Sequence, residues 1–153
     1  MEAMLAEFKW RYQVTKDELT SKPTYVAYVN SINQINFDFP YHGAQRGTLM
    51  LRTHPQHGKD LILRVEKGQM LVRSYEDTTV KVVFDKGSPV SYRVTGPADH
   101  STTSLFFRDY QGFVGRILKA KKVKISVPFY QQGEVVFEFN VSDFDSKKYL
   151  DKN

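Results

Sequence analysis

Apolar and polar residues alternate with a period of two over most of the chain. The segment FKWRYQV places Phe8, Trp10 and Tyr12 on one face and Lys9 and Arg11 on the other. Such alternation is typical of strands that have one face in the core and one face in water. The same pattern recurs in the segments TLMLR, DLILRVE, TVKVVFD, SYRVTG, VKISVPFY and VVFEFNV.

Short polar segments that contain glycine separate these alternating runs, as hairpin turns do. They are Lys67-Gly68, residues 85–88 and residues 131–133. From Asp60 to Thr95 the pattern predicts a four-strand antiparallel meander. We therefore predict an all-β fold, or a β-rich α+β fold, built as an antiparallel β-sandwich or partly closed barrel of about eight to ten strands.

One segment has a helical period instead. Its apolar residues are spaced by three or four positions, and they are Tyr110, Phe113, Val114, Ile117 and Leu118. This spacing predicts one amphipathic helix near 109–122, lying across the sheet and leading into the next strand. Gly112 and Gly115 fall off the apolar stripe, where a close neighbour or a bound group could approach.

The length and the tails indicate a single domain. A chain of 153 residues is long enough to bury a core without metal or disulfide crosslinks. We interpret 1–7 as an N-terminal tail, 8–144 as one β-rich domain and 145–153 as a C-terminal tail. No apolar run approaches the ~20 residues of a membrane-spanning helix.

Charge and composition limit the kinds of functional site that this chain can have. The absence of cysteine excludes disulfides, thiolate nucleophiles and cysteine metal sites. The net charge is +5, and it is concentrated in residues 108–124, where six basic residues face one acid. The positive charge is therefore a local patch, which suits an anionic surface.

Three of the four histidines lie in residues 37–60, a stretch that raises the question of a metal site, a ligand-binding mouth or two loops around a strand. His54 and His57 flank Pro55 and precede Gly58, so they lie in a turn, which does not hold two imidazoles on one face. His42 lies in the loop before the strand at 48–53. We favour two loops around a strand, with no metal and no cofactor.

No catalytic motif stands out. The chain has no G-x-S-x-G elbow and no phosphate-binding glycine loop, so nucleotide cofactors have no support. Asp99, His100, Ser101 and Ser104 are close in sequence, but neighbouring residues on an extended chain point in different directions and do not form a triad. An enzyme, namely a hydrolase with loop-borne histidines and carboxylates, is the alternative to a binding protein.

Two surfaces are candidate binding sites. The first is the basic patch, with Arg116, Lys119, Lys122 and Lys124 directed outward. The second is the loop at 41–47, with Tyr41 and His42.

The expected partner is an unknown protein or an anionic surface. Nucleic acid is disfavoured because the aromatic residues mostly face the predicted core. A salt-sensitive polyanion binder, acting through residues 108–124, is a further alternative.

Several spaced elements carry a resemblance to a known group: Trp10, Phe39-Pro40-Tyr41-x-Gly43, Leu49-x-Leu51-Arg52, Gly68-Gln69, Phe84-Asp85, Ala120-Lys121-Lys122 and Phe129-Tyr130. From Trp10 to Phe144 the chain resembles a domain of small bacterial envelope proteins and lipoproteins, a group with no established biochemical activity. The resemblance implies a non-enzymatic binding module in the periplasm or cell envelope if an export signal was trimmed. Otherwise we expect a cytoplasmic protein.

Overall fold

The computed structural model describes residues 8–37, 43–72 and 78–150. Two helices occur in this part of the chain, α1 (Tyr110–Ile117) and α2 (Ser146–Tyr149). The strands are β1 (Arg11–Lys16), β2 (Pro23–Asn30), β3 (Ile35–Asn36), β4 (Ala44–Gln45), β5 (Gly47–His54), β6 (Gly58–Val65), β7 (Thr78–Phe84), β8 (Val90–Thr95), β9 (Ser104–Phe107), β10 (Lys122–Phe129) and β11 (Gly133–Asn140).

Nine strands form one antiparallel sheet in the order β1-β2-β5-β6-β9-β8-β7-β10-β11, while β3 and β4 form a separate two-stranded ribbon. The predicted β-rich antiparallel fold is confirmed. The sheet is open, yet it curls strongly. A Cβ placed on Gly47 of β5 would lie 2.9 Å from the Phe137 ring of β11. Only glycine lets the two distant strands approach this closely.

The predicted meander from Asp60 to Thr95 is wrong, because β9 lies between β6 and β8. Ile62 pairs with Phe106, and Val94 pairs with Phe107. The segment after β6 turns at Gly68, where a Cβ would lie 2.7 Å from the Phe37 ring, and then pairs with the end of β10 through Met70 and Phe129. The predicted turns at 85–88 and 131–133 are confirmed as the β7–β8 and β10–β11 hairpins.

The edge of the sheet at β11 is occupied by the segment that follows β2. The Ile32 N–H donates to the Glu138 carbonyl at 2.7 Å. The Asn33 side chain donates to the Val136 carbonyl at 2.8 Å and accepts from the Glu138 N–H at 2.9 Å. These bonds imitate a short length of neighbouring strand, so the Val136 carbonyl and both backbone groups of Glu138 have partners although no strand pairs with this edge.

Helix α1 packs its apolar face against one end of the sheet's inner face. The Phe113 ring is completely buried, with ring centroids 4.7 Å from Phe107, 4.8 Å from Tyr92 and 5.3 Å from Phe84. The helix ends at Ile117, earlier than the predicted 109–122, because the chain turns through residues 118–121 to enter β10. Within the described ranges, neither helix has the length and apolarity required to span a bilayer.

The C-terminal residues pack on the domain as far as residue 150. The Asp145 carboxylate caps α2 by accepting from the Lys147 N–H at 2.9 Å. Tyr149 is buried, its hydroxyl is 2.7 Å from that of Thr53, and it is hydrogen-bonded to the Tyr110 hydroxyl. This contact joins α2 to α1, so both helices close the same end of the curled sheet.

The two glycines of α1 should respond differently to alanine. Gly115 faces open space, so Gly115→Ala should raise the free energy of unfolding by about 0.5–1 kcal/mol through helix propensity. A Cβ on Gly112 would displace the Asp109 carboxylate that accepts from the Gly112 N–H at 3.0 Å. The weakened cap should offset the gain in helix propensity, so Gly112→Ala should change stability by less than about 0.5 kcal/mol. Urea unfolding measures both, and destabilisation by Gly115→Ala would contradict the packing of α1.

Stability should fall at alkaline pH through the buried tyrosines. Burial, with a smaller effect of the Tyr149 hydrogen bond, raises the pKa of Tyr110 above its ordinary value of 10.0. Burial also raises the pKa of Tyr149. The folded state therefore keeps both phenols neutral. The free energy of unfolding has its full value below pH ~10 and decreases above it, because the same tyrosines ionise in the unfolded state.

Tyr110→Phe should therefore reduce the dependence of the unfolding free energy on pH between pH ~9.5 and ~11. The exposed Tyr130, changed to Phe in parallel, serves as the control and should leave that dependence as in the wild type. Equal slopes for wild type and Tyr110→Phe would contradict the assignment.

Candidate functional site

Of the two histidines predicted to share a turn, His57 lies in the β5–β6 turn, whereas His54 is the last residue of β5. Residues 55–57 form the turn between β5 and β6, and the rings of His54 and His57 lie side by side with centroids 4.4 Å apart. Nδ1 of His54 accepts from the backbone N–H groups of Gln56 and His57, at 3.0 and 3.2 Å. Among the described residues, no three histidines or acids are grouped to hold a metal ion.

The segment with Asp99, His100 and Ser101 is a loop that leads into β9. The Asp99 carboxylate accepts from the Ser101 N–H at 2.9 Å, and the Ser101 hydroxyl is 3.1 Å from that of Thr103. These contacts form a local turn. The Asp99 carboxylate therefore stabilises the backbone of its own loop.

The predicted basic residues divide between two surfaces. Arg116 and Lys119 lie on and just after α1, beside the β7–β8 hairpin. Lys122 and Lys124 alternate with the buried residues of β10 and so lie on the outer face of the sheet. Lys122 forms an ion pair with Glu138, with Nζ and Oε1 2.7 Å apart. Tyr41 and His42 of the second predicted surface lie outside the described residues.

Three arginines from three different elements line a groove of about 510 Å³ beside α1. Arg93 comes from β8, Arg108 follows β9 and Arg116 belongs to α1. We call this the arginine groove. Its remaining lining residues are Val90, Ser91, Tyr92, Asp109 and Gly112.

The arginine groove exists because β9 is short. The Arg108 N–H donates to the Arg93 carbonyl at 3.0 Å, after which the chain leaves the sheet for α1. Backbone groups of every second residue in a strand point to the same side. Since the Arg93 carbonyl points toward β9, the N–H and C=O of Ser91 point to that side too. At Ser91, however, β9 has already ended and α1 lies there instead. The groove thus combines guanidinium groups with a hydroxyl and a backbone donor.

The charge of the groove is positive. Within the described ranges, neither Arg93 nor Arg116 pairs with a carboxylate, and Cζ of Arg116 lies 5.6 Å from the centre of the Phe84 ring. Asp109 is the one acid in the lining, and its carboxylate caps α1. Burial raises the pKa of the Tyr92 phenol, Arg116 opposes this shift and Asp109 adds to it, which places both charges near that hydroxyl.

A second groove, of about 440 Å³, adjoins the first and shares Val90 and Arg116 with it. We call it the apolar groove, because Phe84, Val90 and Ala120 line it together with Asp85, Gly87, Ser88, Arg116 and Lys119. The Asp85 carboxylate accepts from the N–H groups of Lys121 and Lys122 at 2.9 and 3.0 Å. Lys119 stands at this groove as an additional cation.

Arg93 is not among the site residues that the sequence pattern predicts. The alternation in SYRVTG places its side chain on the outer face of a strand. Nothing local, however, indicates that this strand lies beside α1, because the neighbour of β8 is set by the pairing of distant segments. Arg108 lies within the predicted basic segment 108–124, although it was not among the predicted site residues.

In comparisons with known proteins, no protein-family model matches this chain, and no curated protein matches it either. Among solved structures, the chain is similar to the crystal structure of invasion associated protein B from Bartonella henselae. The identity is 11%, the match covers 85% of this chain and 83% of that chain, and the TM-score is 0.43. The function of this chain must therefore be inferred from its own residues.

Proposed function

We propose that this protein is a non-enzymatic binding module of the bacterial envelope. The observation that carries the proposal is the arginine groove, which lies outside a sheet whose inner face is filled by side chains. Leu63, Val94, Phe113 and Phe137 are completely buried there. A densely packed interior leaves the exterior for recognition.

The hydrolase alternative has less support from the described residues. A hydrolase of this type needs an acid or base and a second polar group around one substrate position. The rings of His54 and His57 instead lie against each other at the β5–β6 hairpin, and the Asp99 carboxylate accepts a hydrogen bond from its own loop. The charged residues that line one groove are mostly arginines, which recognise anions and transfer no protons at neutral pH.

The envelope location is supported by the resemblance of residues 10–144 to small envelope proteins. An epitope-tagged copy of the complete natural gene should fractionate with a periplasmic or membrane marker in the source bacterium. Recovery with a cytosolic marker would leave the binding function standing and would remove the location from the proposal.

Binding should appear as amide shifts along the outside of α1 and β8 in the ¹⁵N-labelled protein. The probes are a peptidoglycan digest and vesicles that contain an anionic phospholipid, each at low and moderate salt. Zinc and a short DNA serve as comparison ligands. Shifts centred on His54, His57 and His100, together with cleavage of the probe, would identify a hydrolase and contradict the proposal.

A further inference from the structure

We propose that the arginine groove binds a phosphate group, and that the apolar groove beside it receives the apolar part of the same phosphate ester. This inference rests on the proposed function, because it names the ligand of the surface assigned above.

The lining of the arginine groove fits a phosphate better than a single carboxylate. The groove is lined by three arginines and one aspartate, whose formal charges sum to +2, the opposite of a phosphate monoester dianion. Each guanidinium presents a planar fork that matches two phosphate oxygens. The Ser91 hydroxyl and N–H add donors of the kind that line phosphate sites.

The two arginines without an acidic partner point the same way. Arg93 and Arg116 line one groove, and neither pairs with a carboxylate among the described residues. A phosphate that binds there would stabilise the folded state by mass action. Phosphate should therefore raise the melting temperature of the wild type, and the rise should be smaller in Arg93→Gln and in Arg116→Gln.

The apolar groove identifies the rest of the ligand. Phe84, Val90 and Ala120 continue directly from the arginine groove through the shared Val90 and Arg116. A ligand with an apolar group next to its phosphate would contact both grooves. The headgroup of phosphatidic acid and a soluble phosphate ester share this chemistry, because both end in a phosphate monoester, and phenyl phosphate is the simplest molecule that presents it.

The test compares inorganic phosphate, phenyl phosphate and vesicles in the complete chain at low ionic strength. Both soluble probes should shift the amides of Ser91, Arg93, Arg108 and Gly112, and phenyl phosphate should bind more tightly. Arg93→Gln and Arg116→Gln should each weaken phenyl phosphate binding by about tenfold or more. Lys124→Gln removes the same charge outside both grooves and should change the affinity by less than about twofold.

The vesicle arm distinguishes the two sources of the phosphate. Co-sedimentation with vesicles that contain phosphatidic acid, but not with phosphatidylcholine alone, and its loss on adding phenyl phosphate, would identify a lipid headgroup. Binding of phenyl phosphate without co-sedimentation would identify a soluble ester. Either result supports the groove as a phosphate site.

Two outcomes would overturn the inference. One is an equal loss of affinity in Lys124→Gln and Arg116→Gln, which would mean a diffuse charge effect. The other is unshifted groove amides with both soluble probes. If envelope components still shift another surface in that case, the binding module stands and only the phosphate site fails. If no envelope component shifts any surface, the proposed function fails as well.

Discussion

The burial of the Phe113 ring is the contact on which the candidate site depends. An isolated helix of eight residues is not stable in water, because the free-energy cost of nucleating it exceeds the stabilisation that so few hydrogen-bonded turns provide. Packing against Phe84, Tyr92 and Phe107 supplies the missing stabilisation, and burial of a phenylalanine side chain contributes about 1.5–3 kcal/mol. The position of Arg116, one turn further along, is fixed by that same contact.

The inner and outer surfaces of the domain therefore have separate roles that meet at α1. Its buried side closes one end of the curled sheet, while its exposed side brings Arg116 beside Arg93 and Arg108. The aromatic cluster around Phe113 holds the helix that carries Arg116, so packing on the inner side sets the position of a cation on the outer side.

The sequence predicted local features well and distant ones poorly. The alternation in VKISVPFY and VVFEFNV, with the turn at 131–133, predicted the β10–β11 hairpin, because both the period and the turn are local properties. The insertion of β9 between β6 and β8 was not predictable from such patterns. It depends on Ile62 pairing with Phe106, residues far apart in the chain. The site shares this limit, since Arg93 meets Arg116 only when the order of the strands is known.

The contacts of Asn33 with β11 determine how copies of this protein can associate through their strands. Two unoccupied edges would let a sheet add copies without end, as in a fibre. In the described part of the chain, the middle of the β11 edge is already bonded to Ile32 and Asn33, and β1 is the opposite edge of the sheet. Two copies joined along β1 would have no second edge to offer, so strand-to-strand growth would end at a pair.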